Sequence, residues 1–103
     1  MDSAIVAYVA RRQAVLDQLR QIIITTLRVD RPPEELDPDT ALFGSGLGLD
    51  SIDAVELVVA MDMQFGIQLA NDVFGRAEMR TLNGLVDLVL RAAATATDRG
   101  DAT

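Results

Sequence analysis

Apolar residues recur at helical spacing in three stretches of the chain, separated by segments rich in proline, glycine and acidic residues. The stretches cover residues 4–27, 52–65 and 82–93, and within each the apolar positions would form one face of a helix. Residues 22–26 are largely β-branched and favour a strand locally, so a helix there depends on packing. No alternating pattern of period two is present. The pattern therefore predicts an all-α fold.

Local signals support the ends of these helices. Asp50 and Ser51 are both good N-cap residues for the second helix, and Gly66 follows it as a C-terminal stop. Thr81 would cap the last helix. Pro32 and the residues after it forbid continuation of the first helix and begin a long connection through a glycine cluster. We expect this loop to be pinned by buried side chains, for which the candidates are Leu42, Phe43, Leu47 and Leu49.

These elements predict a four-helix bundle with three longer helices and one short third helix, and with a long loop between helices one and two. The short third helix is placed near residues 71–74. We expect a single domain over residues 1–94, followed by a flexible tail over residues 95–103. Residues 1–10 are either the start of a longer first helix or a flexible N-terminal extension.

Composition excludes many kinds of chemistry. The chain has no Cys and no His, and its nine basic residues are all Arg. Disulfides, thiolate nucleophiles, imidazole bases and the Lys of a phosphate-binding P-loop are therefore excluded, and we predict that the protein is not an enzyme. Residues 37–42 begin like a calcium loop but lack its third acid and its glycine, so no metal site is predicted.

The net charge of −7 lies in the middle of the chain, because residues 36–90 hold nine acids against only Arg76 and Arg80. Such a field repels nucleic acid and attracts partners with basic patches, although composition alone favours an acidic surface that serves only solubility. No apolar run approaches the roughly 20 residues of a membrane span, and the N-terminus lacks the layout of a signal peptide. The sequence predicts a soluble, cytoplasmic monomer without a membrane span.

Ser51 is the main candidate for chemistry. At the head of the second helix its hydroxyl would be exposed, beside free backbone N–H groups that favour a phosphate. The same position also suits a serine that only caps the helix. Helix geometry alone favours the interpretation of Ser51 as a serine that only caps the helix.

The second helix carries two apolar stripes. One stripe, which includes Leu57 and Met61, faces inward. The other consists of Ile52, Val55 and Val59 and is interleaved with acidic residues. A helix in a domain with one core needs only one apolar stripe. The second stripe therefore either packs beneath the long loop or forms an exposed docking surface beside Ser51.

Several motifs of the chain carry a resemblance to a known family. They are Leu42-Phe43, Gly48-Leu49-Asp50-Ser51-Ile52-Asp53, Glu56-Leu57, Phe65-Gly66-Ile67, Phe74 and Thr81-Leu82. With these motifs, residues 36–90 resemble the acyl carrier protein family, which is the phosphopantetheine-attachment domain. The resemblance implies a bundle of acyl-carrier type in which Ser51 receives 4′-phosphopantetheine from coenzyme A.

The resemblance also implies roles for neighbouring residues. It assigns partner contact to Asp50, Ile52, Asp53, Val55, Glu56, Val59 and Asp62. It implies an acyl-chain pocket lined by Leu57, Val58, Met61 and Phe74. The partners it implies are a phosphopantetheinyl transferase and ketosynthase, acyltransferase or acyl ligase enzymes with basic docking patches.

Three functions agree with the sequence. The first is a carrier of acyl groups, held as thioesters on the arm, for fatty acid, polyketide or related secondary-metabolite biosynthesis, and Asp50 before the serine favours it. The second is a carrier of aminoacyl or D-alanyl groups. The third is a helical adaptor that has the carrier fold but an unmodified serine. The chain departs from common acyl carriers at Met61-Asp62-Met63-Gln64, where they have a run of glutamates, and at Arg76 and Arg80.

Overall fold

A computed structural model describes residues 2–44, 46–69 and 73–98 of the chain, with side chains as far as residue 95. The α-helices are α1 (Ser3–Leu27), α2 (Ser51–Phe65) and α3 (Leu82–Asp98). Two 3₁₀ helices, Pro33–Glu35 and Ala77–Arg80, lie in the connections. Within the described residues there is no β-strand, and the predicted all-α fold is confirmed.

The helix ends follow local sequence signals. The Asp2 side chain caps α1 by accepting a hydrogen bond from the Ala4 N–H at 2.9 Å, so residues 3–10 belong to a longer first helix. Gly66 ends α2 in the left-handed region at φ 66°, as predicted for the glycine stop. The β-branched part of α1 is helical because Ile22 and Ile23 are buried, and packing there outweighs propensity.

One hydrophobic core is shared by the three α-helices, because α1 packs against both α2 and α3. Each helix contributes side chains with almost no exposed surface. Full burial of one such leucine stabilises the fold by about 1.5–3 kcal/mol. The core residues that the helices share are Leu19 and Ile23 of α1, Leu57, Val58 and Met61 of α2, and Leu82, Leu85 and Val86 of α3.

The long loop between α1 and α2 is attached to the core and to α3. Of the predicted anchors, Leu42 and Leu49 are buried and Phe43 and Leu47 are partly buried against the core. The Leu42 N–H donates to the Arg80 carbonyl at 2.8 Å, which ties the loop to the second 3₁₀ helix. A second backbone hydrogen bond joins Asn83 to the Pro38 carbonyl at 3.0 Å. The loop therefore has a fixed path across the domain.

The count of four helices is not confirmed. Of the segment predicted to form the short third helix, Asn71 and Asp72 lie outside the described residues, and Phe74 lies in a turn. The short helix that the structure shows comes later, at Ala77–Arg80, and is a 3₁₀ helix. At the other end of the chain, α3 continues past its predicted end near residue 93 to Asp98, because residues 92–94 are alanines, the strongest helix formers.

The predicted flexible tail from residue 95 is helical as far as Asp98, and its last five residues lie outside the described part of the chain. Among the described residues, no helix is both long enough and apolar enough to cross a membrane.

Candidate functional site

Ser51 is the first residue of α2, and the residue that caps the helix is Asp50. The Asp50 carboxylate accepts a hydrogen bond from the Asp53 N–H at 2.9 Å, and the Asp53 carboxylate accepts one from the Asp50 N–H at 3.0 Å. This reciprocal capping box leaves the Ser51 hydroxyl with no capping role. The interpretation of Ser51 as a plain N-cap serine is therefore excluded.

The Ser51 side chain is exposed, and it forms no hydrogen bond with any residue in the described parts of the chain. Two backbone N–H groups beside it also lie outside the hydrogen-bond ladder of the helix. The Asp53 N–H donates to the Asp50 carboxylate, and the Ala54 N–H donates to the Asp50 carbonyl. The two N–H groups outside the ladder are therefore those of Ser51 and Ile52. An exposed hydroxyl of this kind can be esterified without the loss of any existing contact.

The glycine-containing loop before α2 folds back on itself. Gly44 and Gly48 have φ angles of 67° and 79°, in the left-handed region that side chains disfavour. Phe43 and Leu49 form an isolated parallel bridge across this loop, and the Leu49 N–H donates to the Leu42 carbonyl at 3.1 Å. The bridge closes the loop directly before the cap of α2 and thereby fixes where Ser51 stands.

The second apolar stripe of α2 is exposed and does not pack beneath the long loop. Ile52 is 69 % exposed, Val55 is 50 % exposed and Val59 is 47 % exposed. We call these three residues the apolar strip. It starts next to Ser51 and follows α2 for two turns. Its exposure agrees with the docking surface expected from the sequence, while its contact with partners stays a prediction.

The acidic residues around the apolar strip have different surroundings. Glu56 is exposed, whereas Asp53 and Asp62 are only partly exposed. The Asp62 carboxylate accepts a hydrogen bond from the Leu69 N–H at 2.8 Å, so it holds the chain that leaves α2. Asp53 and Asp62 therefore have structural roles in addition to their charge, and among these three acids Glu56 is the most open to a partner.

A groove of about 610 Å³ lies beside Ser51. Its volume is within the range of about 300–1,000 Å³ that small-molecule sites occupy. Its wall is mainly apolar and comes from the loop, from α2 and from the segment before α3. The apolar residues of the wall are Phe43, Leu49, Ala54, Val55, Phe74 and Met79, and the charged ones are Asp50, Arg76 and Arg80.

The acyl-chain pocket that the family resemblance implied has a different set of lining residues. Of its four residues, only Phe74 lines this groove, where it is 46 % exposed. Leu57, Val58 and Met61 are completely buried in the core. The groove is thus lined by only one of the four residues, and an acyl pocket formed by all four stays a prediction.

Most of the residues that form the groove were not predicted from the sequence. Phe43 and Met79 are far apart in sequence, and only the folded chain brings them together. One sequence signal for the groove was available, because Arg76 and Arg80, which line it, are the only basic residues between positions 36 and 90. As for metals, no group of three or more His, Cys, Asp or Glu in the described part of the chain is arranged to hold an ion.

Comparison with known proteins agrees with this geometry. Residues 17–89 match the family described as phosphopantetheine attachment site. Acyl carrier protein 3 of Ralstonia nicotianae is 37 % identical over 81 residues, which are 79 % of this chain and 87 % of that protein. The acyl carrier protein of Thermosynechococcus vestitus is 29 % identical over 75 residues, which cover 73 % of this chain and 86 % of the relative.

The residues present fit the group that this family carries. An exposed hydroxyl without hydrogen-bond partners can form the phosphodiester, and the groove beside it offers apolar surface and two guanidinium groups. The match covers most of the chain, including the capped start of α2. The chain therefore belongs to the acyl carrier protein family, a family of carriers rather than enzymes, and the cofactor of the family is covalently attached 4′-phosphopantetheine.

Proposed function

We propose that Ser51 is the attachment site of the phosphopantetheine arm. We further propose that the protein carries acyl intermediates as thioesters in fatty acid, polyketide or related secondary-metabolite biosynthesis. The observation that supports the site best is that Asp50, and not Ser51, caps α2, so that the exposed serine hydroxyl is available for modification. When attached, the arm supplies the thiol that this chain, which has no Cys, lacks.

The surroundings of Ser51 favour a phosphodiester. The N–H groups of Ser51 and Ile52 are not used within α2, and the positive end of the helix dipole lies at the same place. The capping box of Asp50 and Asp53 holds the first turn of the helix rigid. Together they present the hydroxyl at a fixed position to the enzyme that modifies it.

The apolar strip is the proposed docking surface. Ile52, Val55 and Val59 provide exposed apolar area, and Asp50, Asp53, Glu56 and Asp62 supply negative charge along the same helix. A carrier must leave each enzyme after every step, so its affinity has to be modest while its association is fast. Charge complementarity with basic patches on a phosphopantetheinyl transferase, ketosynthase, acyltransferase or acyl ligase raises the association rate more than the lifetime of the complex.

Attachment is tested by measuring intact mass after incubation with coenzyme A and a broad-specificity phosphopantetheinyl transferase. We expect one added arm on the native chain, localised to Ser51 by peptide mapping, and none on Ser51→Ala. Ser45→Ala is the matched control, because it removes another serine close in sequence, and it should be modified as the native chain is. Absence of modification with several transferases, or modification of Ser51→Ala, would refute the proposed site.

The cargo is tested on the modified protein. Acyl ligases and acyltransferases should load it with acyl groups, and ligases specific for amino acids should not. The thioester is detected by mass and by its release with hydroxylamine. Loading with amino acids alone would instead identify an aminoacyl carrier.

A further inference from the structure

Met63 continues the apolar strip toward the end of α2. It follows Val59 by about one turn of the helix, and residues at this spacing lie next to each other on one side. Its side chain is 79 % exposed, more than any residue of the apolar strip. The side chains of α2 that are buried in the core are different ones, namely Leu57, Val58 and Met61. The exposed apolar line therefore runs for about 17 Å along the helix axis, from Ile52 to Met63.

The exposed side of α2 carries little charge beyond its first turns. Glu56 is the only charged residue among the exposed residues of α2, a helix that the structure describes over its whole length. Asp53 and Asp62 are partly exposed, and each carboxylate accepts a hydrogen bond from a backbone N–H. The exposed residues of α2 that come after Glu56 are Val59, Met63 and Gln64. The side of α2 that a partner meets is therefore acidic near Ser51 and mainly apolar at its far end.

We propose that Val59 and Met63 dock against an apolar depression on the phosphopantetheinyl transferase, and that Met63 is the side chain that enters it. This inference rests on the proposed attachment at Ser51 and the proposed docking on α2. Met63 lies about 18 Å along the helix axis from Ser51, a distance that an interface of standard size, about 800 Å² per partner, spans. The transferase therefore needs its basic patch only beside Glu56, near the serine that it modifies.

Charge favours an enzyme over a second copy of this chain as the occupant of this surface. The net negative charge of the chain lies within residues 36–90, which include α2. Two copies that met through α2 would bring these charges together, and repulsion opposes such a dimer. An enzyme with a cation beside Glu56 and an apolar surface beside Met63 complements both parts of the helix. Methionine suits the second contact, because its flexible side chain adapts to the shape of an apolar surface.

The test measures KM and kcat for arm attachment by the broad-specificity transferase. Met63→Gln keeps the length of the side chain but makes its end polar, and KM should rise by roughly three- to tenfold because less apolar area leaves water on docking. The value of kcat should stay within about twofold, since Met63 is far from the reacting hydroxyl. Met63→Leu keeps an apolar contact and should restore most of the native KM. Ile5→Gln is the matched control, because it changes an exposed apolar side chain of α1 outside the docking surface.

Met63→Glu separates an apolar contact from a charged one. An apolar depression disfavours a carboxylate, so KM should rise at least as much as in Met63→Gln. If the basic patch of the transferase continued along the whole of α2, Met63→Glu would instead lower KM, and the proposal would be overturned. Salt provides a second criterion. The ratio of KM between Met63→Gln and the native chain should be unchanged at about 0.5 M NaCl, because salt screens charges and not apolar contacts.

Intact mass and sedimentation separate the remaining outcomes. If the native chain gains no arm, the proposed attachment fails and this inference fails with it. If Met63→Gln and Met63→Glu gain the arm on Ser51 with the native KM, the attachment stands and the proposed role of Met63 is wrong. The native chain should sediment as a monomer at the concentrations of the assay. A dimer that Met63→Gln dissociates would identify a second copy as the occupant and would also overturn the proposal.

Discussion

At the scale of single residues, Asp50 and Ser51 have different roles at the start of α2. Asp50 caps the helix, and Ser51 offers an exposed hydroxyl for modification. Asp50 takes the capping role through its bond to the Asp53 N–H, and Asp53 completes the box. Ser51 is therefore left without a structural role for its hydroxyl. The consequence is that modification of Ser51 does not compete with the stability of α2.

This division predicts the effect of changes at Asp50. Asp50→Ala removes the cap and should lower the free energy of unfolding by about 0.5–2 kcal/mol, measured by urea denaturation. Asp50→Asn is the matched control, because asparagine caps helices about as well as aspartate. This variant should lose much less free energy of unfolding than Asp50→Ala. Ser51→Ala should unfold as the native chain does. If Ser51→Ala were the more destabilised variant, the capping assignment would be wrong.

At the scale of elements, α3 and the second 3₁₀ helix meet at unusually short distance. A Cβ atom on Gly84, in the first turns of α3, would lie 2.1 Å from the Glu78 carbonyl oxygen. Only a residue without a side chain permits this approach. The contact matters for the site because the same 3₁₀ helix contributes Met79 and Arg80 to the groove.

Gly84→Ala should therefore destabilise the protein, although glycine to alanine within a helix ordinarily stabilises by roughly 0.5–1 kcal/mol. Overpacking of this kind costs about 1–3 kcal/mol. We expect a lower urea midpoint and shifted amide signals for Met79 and Arg80. Ala94→Gly, at an exposed position of α3, is the control, and it should alter stability without moving those signals. A more stable Gly84→Ala variant would show that the contact is not as close as described.

At the scale of the whole molecule, negative charge is concentrated within residues 36–90, and we expect it to steer partners that have basic patches. Glu56 is exposed beside the apolar strip, and Glu34 is also exposed, on the first 3₁₀ helix and outside the acidic segment. The two positions allow the effect of total charge to be separated from the effect of local charge. Only local charge should matter for a partner that docks on α2.

Glu56→Lys should lower kcat/KM for arm attachment by the transferase by roughly three- to tenfold at low salt, because it places a cation on the proposed docking surface for a basic patch. Glu34→Lys changes the net charge equally and should have little effect. The difference should shrink as salt increases, since the screening length falls from about 10 Å at 0.1 M to about 3 Å at 1 M. Initial rates followed by mass across a salt series test this. Equal rates for the two variants would show that the partner does not dock beside Glu56.

The features that were predicted from sequence are those with local causes. α2 was predicted within one residue because its cap, its stripe and Gly66 lie next to each other in sequence. The predicted end of α3 near residue 93 was too early, because no proline or glycine between residues 93 and 98 stops the helix. Whether Ile52, Val55 and Val59 were exposed could not be predicted, since the path of the long loop decides it.

The groove could not be predicted from the sequence, because its wall depends on how distant segments pack together. Its wall joins Phe43, Val55 and Met79, which come from three separate segments. Periodicity identifies which face of a helix is apolar, but it does not identify which loop or short helix covers that face. The hydrogen bond from the Leu42 N–H to the Arg80 carbonyl holds the long loop beside the second 3₁₀ helix. No local sequence signal predicts this bond.

The first turns of α1 are suited to the attachment of a surface or a label. All residues from Asp2 to Arg11 are exposed, and Leu16 is the first buried residue of the helix. With a rise of 1.5 Å per residue, Ser3 stands about 20 Å along the helix axis from Leu16. A resin, a glass surface or a dye joined at that end is held away from the hydrophobic interior, so immobilisation there leaves the packing of the domain intact.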